Sequence, residues 1–192
     1  MTSGTGLLYR AISYAVSAVS DVTPALLPRP TPCHGWNLDM LLRHACESLT
    51  ILEGSLAAGS LSLNPSPSAP GLAAEPAQVF RDRASQLHAA CALAGCRARA
   101  IDAAGLPLPA IAVECAGALE IAIHGWDISQ ACGQRRPLPD TLAIHLLAIA
   151  PLLIPETGRH PLFRAPVATT AQAGLGDQLV AFLGREPSRA CT

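Results

Sequence analysis

The sequence predicts an all-α protein: a compact bundle of four long helices, followed by a fifth, shorter helix and a tail. Half of the 192 residues are hydrophobic, while only 14% are charged and 4% are aromatic. Ala and Leu must therefore fill the core, and these residues favour helix over strand. The stretches between clusters of Pro and Gly also have the length of helices. A chain of this size can bury roughly 70% of its unfolded surface, so we expect a single domain over residues 1–192.

The first two helices are predicted from apolar spacing and from a capping residue. Residues 6–22 carry Leu, Ile, Ala and Val at intervals of three and four, which is typical of an amphipathic helix. A proline-rich, extended connection is expected over residues 23–36. Asn37 is a predicted N-cap, and Asp39 falls in the first turn, where the helix dipole favours an anion. The second helix should continue to about Ala58.

Two more long helices are predicted beyond a stretch rich in Ser, Pro and Gly. We expect this stretch, residues 59–76, to be a flexible loop. Residues 77–104 then predict a third helix, ended by Gly105. Residues 109–132 predict a fourth helix, with Gly133 just past its C-terminus.

The remaining chain predicts a shorter helix and a tail. Asp140 is the expected N-cap of a fifth helix over residues 140–149, whose apolar run stops at Pro151. We expect residues 156–192 to form a tail packed on the bundle, with one short helix at 175–183. Cofactor sites in such bundles form from inward side chains on facing helices.

Composition argues against several classes of protein. The formal charge is −1, and all thirteen basic residues are scattered arginines, so no nucleic-acid partner is expected. No apolar run has the length of about 20 residues that a bilayer requires, and the N-terminus lacks the features of a signal peptide. Seven cysteines without a C-x-x-C pair fit free thiols in a reducing compartment. We therefore expect a cytoplasmic protein that acts on a small molecule, with no membrane partner and with a homodimer as an open alternative.

One constellation has the residue types of a metal site. Glu120 and His124 are four residues apart, so they share one face of the predicted fourth helix. His44 on the second helix offers a second imidazole. Two histidines and a carboxylate are ligands used by catalytic zinc and iron, with a position left open for water or substrate. Asp127 is placed to accept an imidazole N–H behind the ligands.

Structural interpretations of the same residues stay open at this point. A Glu and a His at this spacing also form solvent-side salt bridges, or the His is a core residue bonded to a carbonyl group. Cys33 lies in a proline-flanked turn before a helix, a setting that can lower a thiol pKa. The default interpretation of Cys33 is a buried or idle thiol.

Longer motifs resemble those of a known family. Residues 31–44 carry Thr-Pro-Cys, Trp36 and His44 in a pattern similar to T-P-C-x-x-W-x-x-x-x-L-x-x-H. Residues 120–128 resemble E-x-x-x-H-x-W-D, and residues 163–167 and 178–187 resemble F-x-x-P-V and L-x-x-x-L-G-R-x-P. These are motifs of the actinobacterial metal-binding proteins related to mycothiol-dependent maleylpyruvate isomerase.

The resemblance implies a DinB/YfiT-like four-helix bundle. It implies that His44, Glu120 and His124 hold a divalent metal, with zinc expected first and nickel, iron or copper as alternatives. Trp36 and Trp126 correspond to the two tryptophans of the family, and we expect them to pack around the site as pocket residues.

Three functions remain open from the sequence. The first is a metal-dependent transferase or isomerase that uses mycothiol, or a related small thiol, as cofactor and acts on an electrophilic substrate; the metal would favour the deprotonated sulfur. The second is a metal Lewis acid that works without a thiol as an isomerase, cyclase or hydrolase in a specialised biosynthetic pathway. The third is a bundle that binds metal or a small molecule without turnover.

Overall fold

The computed structural model describes residues 4–62, 75–94, 100–155, 157–159 and 163–187. Within these ranges the elements, in chain order, are α1 (Gly4–Val19), a 3₁₀ turn (Pro24–Leu26), α2 (Leu38–Ala58), α3 (Pro76–Ala94), β1 (Ala100–Ala103), β2 (Leu106–Pro109), α4 (Ala110–Ala131), α5 (Asp140–Leu153) and α6 (Leu175–Phe182). The all-α fold class is confirmed, with a small hairpin added to it. Among the described residues, no helix combines the length and apolarity needed to cross a membrane.

Helices α1 to α4 form the bundle. Both α1 and α2 contact α3, and both also contact α4. Helix α4 is the most deeply buried of the four: its second half is covered on nearly every face, including the polar side chains of His124, Asp127 and Ser129. Polar groups inside such a core need partners, since an unpaired one is costly. The centre of α4 is therefore where a function is expected.

The start of α2 follows the predicted capping chemistry. The side chain of Asn37 accepts a hydrogen bond from the backbone N–H of Met40 at 2.9 Å, which satisfies a donor that the first turn leaves without a partner. Asp39 lies in that first turn. The helix ends at Ala58, as expected. This cap fixes where α2 begins, six residues before His44.

The predicted third helix is wrong at its C-terminal end. Its described part ends at Ala94, and residues 100–103 form β1. β1 pairs antiparallel with β2, with Ile101 opposite Leu108. Ala104 and Gly105 both have positive φ, 52° and 87°, which is the geometry of a two-residue hairpin turn. Gly105 therefore turns a hairpin and does not end a helix.

Helix α5 also departs from the prediction at both ends. Pro139 occupies the N-cap position, and Asp140 is the first helical residue, where the helix dipole stabilises its carboxylate. The helix continues to Leu153 with Pro151 inside its last turn. Pro151 removes one backbone hydrogen bond in the last turn of the helix, where this costs less free energy than it would in mid-helix.

Two predictions concern residues that the structure describes only in part. The loop expected over residues 59–76 lies mostly outside the described residues; its first residues pair with β1, where Leu61 donates to the carbonyl of Asp102 at 2.7 Å. In the tail, α6 confirms the short helix predicted at residues 175–183. The tail packs on α5 through α6, and it contacts the bundle through Arg185, which reaches Asp127 on α4.

The contact between α1 and α4 depends on a glycine. A Cβ on Gly125 would lie 2.9 Å from the Cα of Ala15, so backbone would have to move. A Cβ on Gly54, on the exposed side of α2, would instead meet no atom within 4 Å. Both alanine substitutions gain about 1 kcal/mol of helix propensity.

We therefore expect Gly125→Ala to lower the free energy of unfolding by about 1–3 kcal/mol, as overpacking does. Gly54→Ala, the matched control, should raise it by up to about 1 kcal/mol through helix propensity. Chemical denaturation followed by circular dichroism measures both values. Equal effects of the two substitutions would contradict this account of the contact.

Candidate metal centre

Three potential ligands from two helices meet at one point. His44 projects from α2, and Glu120 and His124 project from successive turns of α4. The Oε1 atom of Glu120 lies 2.8 Å from Nε2 of His44 and 3.1 Å from Nε2 of His124. The three ligand atoms all lie within 4.8 Å of one another. The set predicted from spacing and motif is thus brought together, although its role as a metal site stays a prediction.

The cluster borders a cavity of about 370 Å³, which we call the first cavity. The His44 and Glu120 side chains are 35% and 32% exposed, whereas His124 is 9% exposed. Two of the three donors therefore open towards the cavity, and the third forms its floor. Trp36 also lines it and packs edge-on against the His44 ring, with centroids 4.9 Å apart. The volume suits a small organic molecule.

The donor chemistry fits a divalent cation. Two imidazole nitrogens and one carboxylate oxygen form the donor set that catalytic zinc and related ions use. Ser48, which the sequence analysis did not single out, donates to Glu120 Oε1 at 3.2 Å. This hydroxyl holds the carboxylate in place from the α2 side.

A buried carboxylate orients His124 from behind. Asp127 Oδ2 lies 3.1 Å from His124 Nδ1, so Nδ1–H donates to Asp127 and Nε2 faces Glu120. The side chain of Asp127 is fully buried. Arg185 donates hydrogen bonds to both carboxylate oxygens of Asp127, with Nε 3.1 Å from Oδ1 and Nη2 2.8 Å from Oδ2. Such outer partners fix the ring orientation of a ligating histidine.

Charge compensation controls the protonation of these groups. Burial would raise the pKa of Glu120, but His124 and His44 hold it well below its ordinary range. Burial would lower the pKa of His124, yet Glu120, Asp127 and Cys33 raise it well above that range. Burial opposes ionisation of Asp127 too, and Arg185 together with His124 lowers its pKa. Glu120 is therefore ionised at neutral pH and carries the negative charge that a cation requires.

Cys33 belongs to a second potential donor group, with His124 and Asp127. Its Sγ lies 3.2 Å from Asp127 Oδ2 and 3.8 Å from His124 Nδ1. However, Nη2 of Arg185 lies 3.5 Å from the same sulfur and also binds Asp127. The guanidinium places a positive charge where a second cation would have to lie. The group formed by His44, Glu120 and His124 is therefore the better candidate.

The two tryptophans expected around the site lie in different places. Trp36 lines the first cavity, whereas Trp126 lines a neighbouring cavity of about 490 Å³.

The sequence analysis gave Arg185 no role, although it falls in the L-G-R-x-P motif. Its position in that motif was the only available signal, because 58 residues separate it from Asp127.

Comparison with protein families gives one match. Residues 9–129 match the model described as the mycothiol maleylpyruvate isomerase N-terminal domain. This segment covers more than half of the chain and includes all three potential ligands and Asp127, while Arg185 lies beyond it. Searches of curated proteins and of solved structures found no match.

Proposed function

The chain belongs to the mycothiol maleylpyruvate isomerase N-terminal domain family, and on that basis we propose that it is a divalent-metal-dependent enzyme. Its reaction would use a low-molecular-weight thiol, mycothiol. The enzyme would either transfer this thiol to an electrophilic small molecule or isomerise that molecule. The observation that carries the proposal is the convergence of His44, Glu120 and His124 on one side of the first cavity.

The chain's own residues divide the work of holding the cation. Glu120 supplies the negative charge, because its pKa is held below the ordinary range. His124 presents Nε2 because Asp127 holds its opposite nitrogen at 3.1 Å. Zinc is the ion we expect first, since this donor set is common in its catalytic sites. A divalent ion bound there supplies Lewis acidity and favours the deprotonated form of a thiol.

The first cavity supplies the space for the reactants. Its polar side is formed by the potential ligands, and Trp36 covers His44 with an aromatic surface. A thiol needs access to the ligands from the cavity, which the exposed fractions of His44 and Glu120 allow. Phe163 and Leu183 add apolar surface to the lining of this cavity.

The test is a turnover assay with defined probes. Full-length protein loaded with zinc, or in parallel with nickel, iron or copper, is given mycothiol and either maleylpyruvate or 1-chloro-2,4-dinitrobenzene. We expect the probe to be consumed only when both metal and thiol are present. Arg83→Gln on α3, which replaces an arginine that does not line the first cavity, serves as the control variant. Turnover that survives chelation, or that does not change when the thiol is omitted, would contradict the proposal.

A further inference from the structure

Helix α2 places a hydroxyl group beside the potential metal ligands. Ser48 lies four residues after His44, so the two side chains share one face of α2. Both of them contact Glu120 on α4: Nε2 of His44 lies 2.8 Å from Glu120 Oε1, and the Ser48 hydroxyl donates to the same oxygen at 3.2 Å. Ser48 thus ties the ligand-bearing turn of α2 to the carboxylate of α4.

The Oε1 atom of Glu120 has three polar neighbours. Two of them are imidazole nitrogens, Nε2 of His44 at 2.8 Å and Nε2 of His124 at 3.1 Å. The third is the hydroxyl of Ser48. Within the described part of the chain, Ser48 is therefore the one polar neighbour of this oxygen that does not belong to the potential ligand set.

Binding of a cation would change two of these three contacts. A ring nitrogen that binds a metal ion carries no hydrogen, so neither imidazole Nε2 could then donate to the carboxylate. The O–H group of Ser48 keeps its hydrogen and remains a donor. Ligating carboxylates in proteins are commonly held by such outer hydrogen bonds. Ser48 is therefore suited to hold Glu120 in the metal-bound protein.

The two histidines are held by different neighbours. Asp127 lies 3.1 Å from Nδ1 of His124, and Trp36 packs edge-on against the ring of His44. Asp127 and Trp36 both fall within the motifs of the sequence, whereas Ser48 lies four residues beyond the motif that ends at His44. No motif of the sequence assigns Ser48 a role, and its contact with the carboxylate is the observation that does.

We propose that Ser48 is a positioning residue of the metal centre, whose hydroxyl holds the Glu120 carboxylate towards the cation. The inference deepens the proposed function and rests on it only in taking His44, Glu120 and His124 as ligands of a divalent cation. Ser48 acts through Glu120 and is not itself a ligand. Without the hydroxyl the carboxylate can rotate away, which weakens binding of the ion and changes the arrangement of its ligands.

The test compares three full-length variants with the parent protein. Ser48→Ala removes the hydroxyl, and Ser48→Thr retains it. Ser55→Ala is the matched control, because the Ser55 hydroxyl donates to the carbonyl group of Ile51 on its own helix, at 2.6 Å. Zinc affinity is measured by competition with a chromophoric chelator. The visible absorption of the cobalt(II)-loaded proteins reports the arrangement of the ligands, and neither measurement needs a thiol or a substrate.

We expect Ser48→Ala to bind zinc about tenfold more weakly than the parent, at the lower end of the effect of removing an outer partner. Its cobalt(II) absorption bands should also differ from those of the parent. Ser48→Thr should restore the affinity and the bands, and Ser55→Ala should leave both unchanged. A general loss of helix stability would instead affect Ser48→Ala and Ser55→Ala alike.

Three results would overturn the inference: a zinc affinity or a cobalt(II) spectrum that Ser48→Ala leaves unchanged, a loss that Ser48→Thr does not restore, or an equal loss in Ser55→Ala. A parent protein that binds no divalent ion would overturn the inference and the metal-dependent function together. Zinc binding that depends on Ser48, without turnover that depends on a thiol, would support the inference and contradict only the proposed thiol chemistry.

Discussion

Replacing His124 with alanine is expected to abolish stoichiometric binding of a divalent metal. The substitution removes one of three ligand atoms that lie within 4.8 Å of one another. It also frees Asp127 from the contact through which it orients the site. Removing an outer partner alone costs about 10- to 100-fold in metal affinity, and loss of a ligand should exceed that. Elemental analysis of untagged protein, with about one ion per chain expected in the parent, measures the effect.

Two further variants and one control complete this experiment. His44→Ala and Glu120→Ala should lose the ion as well, while circular dichroism should show the helical bundle retained. His34→Ala is the matched control, because His34 lines the same cavity but lies outside the potential ligand set. It should keep the full metal content. Unchanged metal in the His44 and His124 variants would refute the site.

The bundle could be predicted because its signals are local. Asn37 caps α2 through a contact three residues away, and apolar spacing marks the buried faces of α1 and α2. The hairpin was missed because an Ala-rich stretch of residues 100–104 has high helix propensity. β1 is stabilised by pairing with residues after α2, including Leu61, and that tertiary contact is absent from any local pattern.

Some residues of the candidate site could likewise be predicted from local patterns, and others could not. Glu120 and His124 are visible at helical spacing, and His44 follows from the motif around Trp36. No spacing rule indicates a role for Arg185, because it reaches Asp127 from the tail, 58 residues away in the sequence. Cys33 approaches Asp127 across 94 residues. Contacts of this kind depend on how the tail packs on the bundle, and they appear only in three dimensions.

Arg185→Met is expected to destabilise the fold by about 3–5 kcal/mol, because it leaves the buried carboxylate of Asp127 without its cationic partner. Asp127 is fully buried and the Arg185 side chain is 10% exposed. Methionine preserves much of the length of the side chain, so the lost charge dominates. Arg43→Met is the matched control: Arg43 pairs with Asp39 at 2.9 Å, but at 44% and 31% exposure. That surface pair contributes about 0–1 kcal/mol, and urea denaturation compares the two variants.

The pH dependence separates loss of the charge pair from loss of packing. In the parent, the pKa of Asp127 is lowered from its ordinary value of 3.8, because Arg185 and His124 outweigh the effect of burial. Its stabilising contribution is therefore present above the unfolded pKa and is lost as pH falls through the lower folded pKa. Without Arg185 the effect of burial is less opposed and the folded pKa of Asp127 rises. The stability difference between the parent and Arg185→Met should thus be largest near neutral pH and shrink as pH falls and Asp127 takes up a proton, whereas a pure packing defect would lower stability by the same amount across the acid range.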